Sequence, residues 1–237
     1  MRLFRISFLL TMIILLSVGV DSNLSASSQQ LTKYFSGLES LELSLGRADV
    51  YFALAEGSST RVVFNGDPNS ITMKDDAKNL KILSTRQAGL GGDAKAVLVI
   101  HMPKIIRNVK LNIANGSIFF QHGTSATLAV SGGMLTFTGN NILGPTTFRV
   151  GNGTVTLNYN VNKLTGPVNM DIFGGRIEMT ADLSEAFKAV SNSLKGPNIN
   201  FKSELPIVQG ENGGEAADFN ISGMVSEASI SLKISEY

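Results

Sequence analysis

The chain of 237 residues contains no cysteine and no tryptophan, and only 16% of its residues are charged. The lack of cysteine excludes thiol nucleophiles, thiolate metal sites and disulfide bonds, so packing and hydrogen bonds alone must hold the fold together. The formal net charge of +1 gives no electrostatic reason to expect nucleic acid or another acidic polymer as a partner. No cofactor is expected.

Residues that commonly carry out catalysis are also scarce. His101 lies in the apolar stretch VLVIHMP, where we expect a partly buried, hydrogen-bonded ring, and His122 precedes a glycine, where we expect a solvated one. No H-E-x-x-H motif, G-x-S-x-G motif or phosphate-binding glycine loop with its lysine is present. Asp171 and Glu178 share one repeat, but alternation along strands predicts two outward, solubilising carboxylates. The sequence therefore predicts no catalytic residue and no metal site.

The first residues have the order of a targeting segment. MRLFR supplies two arginines, and an apolar run of about fifteen residues then precedes the polar stretch DSNLSASSQQ. This order predicts a secretory signal peptide over residues 1–22, with cleavage after Gly19, Ser22 or Ala26. The alternative is an uncleaved inner-membrane anchor, because residues 3–20 are just long enough to cross a thin bilayer.

Four stretches of ten residues repeat one pattern, in which a glycine in a fixed slot separates two pairs of alternating apolar residues. They are LNIANGSIFF (111–120), LAVSGGMLTF (128–137), FRVGNGTVTL (148–157) and MDIFGGRIEM (170–179). Their glycines, Gly116, Gly133, Gly153 and Gly175, lie 17, 20 and 22 residues apart, a spacing typical of β-solenoids. We expect each glycine to form a corner that needs a positive φ or a close approach of two backbones. The earlier stretch LSLGRADVYF (43–52) fits the pattern with Ala48 in the glycine slot.

The repeats predict an all-β chain. We expect a single-domain β-solenoid of stacked short strands over residues 35–237, after a polar linker at 23–34. The alternative is a stack of antiparallel hairpins, in which IANGSI pairs Ile113 with Ile118 across an Asn-Gly turn and VGNGTV repeats that arrangement.

One segment departs from the strand pattern. Asp182 and Glu185 suit a helix capping box, and Gly196-Pro197 suits a helix end. The apolar residues between them share one helical face: Leu183, Phe187, Val190 and Leu194. The pattern predicts a short helix near 183–195 that covers the solenoid or one of its ends, with another alternating strand as the alternative.

Polar and aromatic residues of the repeats are the candidates for surface binding. The many asparagines favour a ladder in which side-chain amides bond between coils, and a carbohydrate-contacting face is the alternative. On that alternative, Asn158, Tyr159 and Asn160 are the candidate binding residues. The rings of Tyr51, Tyr159, Phe119 and Phe148 are candidates for stacking on sugars, although packing inside the fold is the commoner role for such rings.

The order of several stretches resembles known families. These stretches are FSGLESLELSLGRADVYFALAEGSSTRVVFNGD (35–67), LKILSTR (80–86) and AVLVIHMPKIIRNVKLNIANGSIFF (96–120). They resemble bacterial adhesin-like β-solenoid families, namely the auto-transporter adhesin head GIN-type domains and their adhesin-like relatives, over most of residues 35–235. The resemblance implies a β-solenoid at the cell surface or in the periplasm, some relatives being tied to envelope-stress sensing. It offers no catalytic residue, and the chain departs from the pattern at Ala48 and near residue 187.

These patterns together predict an exported, non-catalytic protein of the cell envelope. We expect it to be periplasmic or secreted and to present a repetitive β-solenoid surface to another envelope protein or to a glycan. Self-association through the solenoid ends is a further expectation, because open strand edges pair readily. The alternatives are a membrane-anchored module for envelope-stress sensing or scaffolding, and a carbohydrate-active enzyme on the same fold.

Overall fold

The structure, a computed structural model, describes residues 29–84, 95–161, 163–184, 187, 189–208 and 217–234. Over these residues the chain is all-β, and the sixteen described strands pair into a single mixed sheet. The strands are β1 (Gln29–Ser36), β2 (Ser40–Leu54), β3 (Ser59–Gly66), β4 (Ile71–Asp76), β5 (Asn79–Ser84), β6 (Ala96–Met102), β7 (Asn108–Phe120), β8 (Thr127–Asn140), β9 (Thr146–Val161), β10 (Val168–Phe173), β11 (Arg176–Leu183), β12 (Val190–Lys195), β13 (Asn198–Ser203), β14 (Ile207–Val208), β15 (Phe219–Met224) and β16 (Glu227–Ile234).

The repeats form a stack of parallel strands. β2, β7, β8 and β9 lie side by side in that order. The first part of β9 then pairs with β10 and its second part with β11, again in parallel. The alternative of successive hairpins is therefore wrong: Ile113 and Ile118 both belong to β7, which pairs with neighbouring strands and not with itself.

The strand order departs from the sequence order at the far end of the stack. β15 lies between β10 and β12, and β16 lies between β11 and β13. The segment 219–234 is thus inserted between the last repeat and the segment 190–203, which precedes it in the chain. Both of its strands have partners on each side.

Antiparallel strands lie against the other end of the stack. β5 and β6 both pair in parallel with β2, β4 continues antiparallel from β5, and β3 and β1 continue antiparallel from β6. Residues 29–34 therefore belong to β1 and pair with β3, so the polar linker predicted at 23–34 is wrong over that part. Residues 23–28 lie outside the described residues.

A single core runs through the stack. Alternation puts every second residue inside along most of the stacked strands, and the buried aromatic rings contact one another from strand to strand. Phe52 stacks on Phe120 with ring centroids 4.2 Å apart, and Phe137 meets Phe148 edge to face at 4.7 Å. Burying each such side chain contributes roughly 1.5–3 kcal/mol to stability. The repeated apolar slots of the sequence are thus the layers of this core.

The helix predicted near 183–195 is wrong. β11 extends to Leu183, and Val190–Lys195 forms strand β12. Phe187 is buried, with an exposed fraction of 7%. Residues 185, 186 and 188, between the two strands, lie outside the described residues.

The predicted targeting segment also lies outside the described residues, since these begin at residue 29. Within the described part of the chain, no helix has the length and apolar character needed to cross a membrane. Cleavage or retention of residues 1–22 therefore stays a prediction.

Candidate functional site

Gly116, Gly153 and Gly175 occupy equivalent positions in the register of the sheet. Gly116 is opposite Ala48 in the β2–β7 register, and a Cβ on Gly175 would lie 2.2 Å from the Gly153 carbonyl oxygen. Gly116 and Gly153 have φ angles of 150° and 152°, and each packs directly on the backbone of the preceding strand. The inside–outside alternation of β7 and β9 is interrupted next to these glycines, and this interruption, which we call the bend, divides each long strand into a first and a second part.

Gly133 is the exception, because β8 is shifted by two residues relative to its neighbours. Leu135, not Gly133, lies opposite both Gly116 and Gly153. Leu135 is buried, with an exposed fraction of 1%, whereas Gly133 is exposed. The repeat pattern therefore places Gly133 in the wrong slot. A shift of two keeps the inside and outside of a strand unchanged, so the core accepts it.

The outward side chains beyond the bends form a continuous surface, which we call the outer face. The parallel register places Tyr51 beside Phe119, Phe119 beside Thr138, and Thr138 beside Thr156. Adjacent strands lie about 4.8 Å apart, so these side chains form a lateral row at that spacing. A second row on the same face consists of Asp49, Ser117, Thr136 and Thr154.

An exposed aromatic pair stands at one end of the first row. The rings of Tyr51 and Phe119 have centroids 6.4 Å apart and planes tilted by 59°, and the two residues are 42% and 37% exposed. By contrast, Phe148 is fully buried and Tyr159 is 3% exposed. Of the four rings considered as sugar-stacking candidates, only the first two are therefore available to a ligand.

The second row is held in place by polar contacts beside the aromatic pair. The Ser117 hydroxyl donates a hydrogen bond of 2.5 Å to Asp49 Oδ1, and Lys95 Nζ lies 2.6 Å from Asp49 Oδ2. The side chain of Asp49 is mostly covered. These contacts engage both carboxylate oxygens of Asp49 and the Ser117 hydroxyl, and so they hold the surface beside Tyr51 and Phe119 in place.

Asn158 and Asn160 lie on the outer face, but Tyr159 does not. Asn158 Nδ2 donates to Asn140 Oδ1 at 3.2 Å, and its Oδ1 accepts from the Thr180 hydroxyl at 2.6 Å. A second bond of this kind joins Asn220 to Asn169 at 3.0 Å. The predicted amide ladder is thus confirmed at these two places. Tyr159 points inward, because it lies two residues after the buried Leu157 and therefore on the same side of the strand. Burial raises the pKa of its hydroxyl.

Among the described residues, the candidate carboxylates and histidines lie apart from one another. Asp171 belongs to β10 and accepts a bond of 3.4 Å from the Ser222 hydroxyl, whereas Glu178 belongs to β11, beyond the bend, and lies 3.9 Å from Arg176. His122 is exposed. Among the described residues no group of three or more histidines and carboxylates could hold a metal ion.

His101 is partly buried and hydrogen-bonded. Arg61 donates a bond of 2.9 Å to His101 Nε2, which must therefore be unprotonated. Burial, and then the positive charge of Arg61, hold the pKa of His101 below its ordinary value. The pair lies on the antiparallel strands β3 and β6, away from the repeats.

This contact predicts a pH dependence of stability. The unfolded chain takes up a proton at His101 more readily than the folded one does. The stabilisation that neutral His101 gives to the folded protein is therefore complete above the ordinary histidine pKa of about 6.5 and is lost as the pH falls below that value. Replacing His101 with glutamine, which can still accept the bond, should flatten this part of the curve. Urea midpoints of both proteins between pH of about 7.5 and about 5.5 test it. An equal fall for both would show that His101 is not the group responsible.

Sequence reasoning missed the threonines of the outer face. The motif T-x-T occurs at 136–138 and 154–156, and its two copies lie side by side in the sheet. The shared motif was a signal that could have found them, although alignment on the glycines hides the pairing, because Thr136 follows Gly133 by three residues and Thr154 follows Gly153 by one. Asp49 and Lys95 gave no such signal, because their contact depends on the fold.

Comparisons with known proteins give likenesses of structure only. No family model matches the chain, and no curated protein does. The chain is similar to the crystal structure of a candidate cell adhesion protein from Clostridium sporogenes, at 14% identity and a TM-score of 0.48, covering 88% of this chain and 100% of that one. It is similar to candidate adhesins from Bacteroides fragilis, at 13% identity and a TM-score of 0.41, and from Parabacteroides merdae, at 12% and 0.31. The match to the Bacteroides fragilis structure covers 85% of this chain and 97% of that one, and the match to the Parabacteroides merdae structure covers 87% of this chain and 97% of that one. Identities and TM-scores this low assign neither a family nor an activity.

Proposed function

We propose that the chain is an exported, non-catalytic protein of the cell envelope whose outer face binds a glycan or another protein in an adhesin-like role. The exposed pair of Tyr51 and Phe119, set in one row with Thr138 and Thr156, is the observation that carries this proposal. Exposed aromatic side chains are enriched where proteins make contacts, because they offer a large, rigid area. Export rests on the order of residues 1–22.

We also propose that the parallel strands wind as a β-solenoid. The thirteen residues of β7 would extend about 43 Å if straight, but residues 121–126, which lead to the start of β8, span at most about 25 Å. The φ of 150° at Gly116 and the interrupted alternation there support the winding, because a corner at this position would bring the two ends of the strand closer together. The connections are themselves stacked, since Thr124 forms a parallel bridge with Ile142.

A glycan suits the outer face better than a strongly charged ligand does. The rings can cover the apolar side of a sugar, while the neighbouring Thr138, Thr156 and Asn158 supply hydroxyl and amide groups. The lateral spacing of about 4.8 Å repeats from strand to strand and suits an extended chain with regularly placed hydroxyl groups.

Replacing both Tyr51 and Phe119 with alanine should weaken glycan binding by about tenfold or more, since each ring removes contact area worth roughly 1 kcal/mol. Binding of the purified protein to arrayed cell-envelope and host glycans measures this. Both side chains point outward, so the stability of the fold should change little.

Phe173→Ala is the matched control, because Phe173 is 55% exposed but lies at the end of another strand, β10. This variant should bind like the wild type. If the double variant keeps full glycan binding, or if the wild type binds no glycan, the glycan proposal fails. Retention of a protein from envelope fractions by the wild type, lost in the double variant, would favour the protein partner.

The mature N-terminus tests export. Mass spectrometry of the protein from separated soluble and membrane fractions should find a start near residues 20–27 in the soluble fraction. An intact Met1 in the membrane fraction would overturn cleavage and favour a tethered sensor or scaffold.

A further inference from the structure

A cavity of about 290 Å³ lies where the second parts of β2 and β7 end. Its apolar lining includes Phe52, Phe120, Met102 and Leu143. The first two rings are stacked and almost fully buried, so the apolar floor that a ligand can reach consists mainly of the more exposed Leu54 and Leu143. The volume is close to the lower end of the range of small-molecule sites, about 300–1,000 Å³.

Backbone hydrogen bonds hold the walls of this cavity in place. Leu143 donates to the Thr124 carbonyl oxygen at 2.7 Å, and Thr124 donates to the Asn141 carbonyl oxygen at 3.2 Å. Gly123 packs so closely here that a Cβ would lie 2.7 Å from the Asn141 carbonyl oxygen. The cavity is therefore formed before a ligand arrives, which lowers the entropic cost of binding.

Lys104 is the charged side chain among the residues that line the cavity. Lys104 and His122 are exposed side chains that line it, together with Thr124 and Ser125, and none of its lining residues is acidic. Within the part of the chain that the structure describes, Lys104 makes no ion pair. A positive, hydroxyl-bearing rim above an apolar floor is complementary to a molecule with an apolar body and an anionic end.

We infer that this cavity binds a small amphiphilic carboxylate, with a short alkyl chain or one aromatic ring as its apolar body. The body lies against Leu54, Leu143 and Met102, and the carboxylate points to Lys104, where hydroxyl groups can also donate to it. This site lies at the end of the strands and uses neither Tyr51 nor Phe119. It is therefore independent of the proposed glycan binding, and each can fail without the other.

Titration of the full chain with octanoate, followed by amide chemical shifts in NMR spectra, tests the inference. We expect saturable shifts at residues 102–104 and 122–125, with octanol and octylammonium binding about fivefold or more weakly than octanoate, because they lack the charge-assisted bond to Lys104. Octanoate tests the alkyl body, and benzoate in a parallel titration tests the aromatic one.

Lys104→Gln should weaken octanoate binding by about fivefold or more and leave octanol binding unchanged. Lys202→Gln is the control, since Lys202 is also exposed but lies on β13, away from the cavity. Equal affinities for the acid and the alcohol, or no saturable shift at these residues with either carboxylate, would overturn the inference. A loss of affinity that is equal in both lysine variants would also overturn it, because it would show that only net charge matters.

Discussion

Replacing Gly116 with alanine is expected to lower the free energy of unfolding by about 3 kcal/mol or more, a large part of the stability of an ordinary domain. The added Cβ would lie 1.7 Å from the Ala48 carbonyl oxygen, which is backbone of a central strand and cannot rotate away. The φ of Gly116, 150°, also lies in a region that residues with a Cβ rarely adopt. Either the β2–β7 ladder must open or the bend must change. Urea denaturation followed by circular dichroism measures the loss.

Gly57→Ala is the matched control, because a Cβ on Gly57 would have no neighbour within 4 Å. We expect that variant to stay within about 0.5 kcal/mol of the wild type. Gly153→Ala should behave like the Gly116 variant, since its Cβ would lie 1.9 Å from the Leu135 carbonyl oxygen. A Gly116 variant as stable as the Gly57 variant would contradict the close approach of these strands.

The repeated glycine slot therefore carries real structural information, but it does not fix the register of each strand. Gly116, Gly153 and Gly175 occupy equivalent positions in the register, whereas Gly133 is displaced by two residues. Alternation has a period of two, so a shift of two leaves every apolar side chain inside. The register of β8 is decided by packing details, such as Leu135 between two glycines, which no local pattern records.

The helix prediction failed for a related reason. Leu183, Val190 and Leu194 are apolar at spacings that suit a helical face, yet Val190 and Leu194 also share one side of a strand, because they are four residues apart. Among the described residues, Leu183 and Val190 are fully buried in strands. Pairing with β15 and β16 decided the outcome, and those partners come later in the chain.

The outer face was predictable residue by residue but not as a surface. Alternation alone places Tyr51 and Phe119 outside. It also places Tyr159 inside, on the same side of the strand as Leu157, which is two residues before it. What the sequence could not show is that Tyr51 and Phe119 touch, since they are far apart in the chain and meet only through the parallel register. Local patterns thus fix which side a residue faces, and the pairing of distant strands fixes its neighbours.

Replacing Ile230 with alanine is expected to lower the free energy of unfolding by about 2–5 kcal/mol, although Ile230 lies close to the end of the sequence. Terminal segments usually fray, and substitutions in them cost little. Here β16 is an inner strand: Ile230 is 1% exposed and lies between Met179 and Phe201 in the register. Truncating its side chain opens a cavity between two neighbours that cannot collapse freely. Urea denaturation gives the magnitude.

Ile234→Ala provides the comparison within the same strand, because Ile234 is 37% exposed. This substitution should lower the free energy of unfolding by less than about 1 kcal/mol. Hydrogen exchange offers a second measurement. Amides of 227–232 should exchange more slowly than those of β13, since β16 has a partner strand on each side while β13 pairs with β16 alone among the described residues. Similar costs for the two isoleucines, with fast exchange along β16, would mean that the last strand lies at an edge and that the inserted order is wrong.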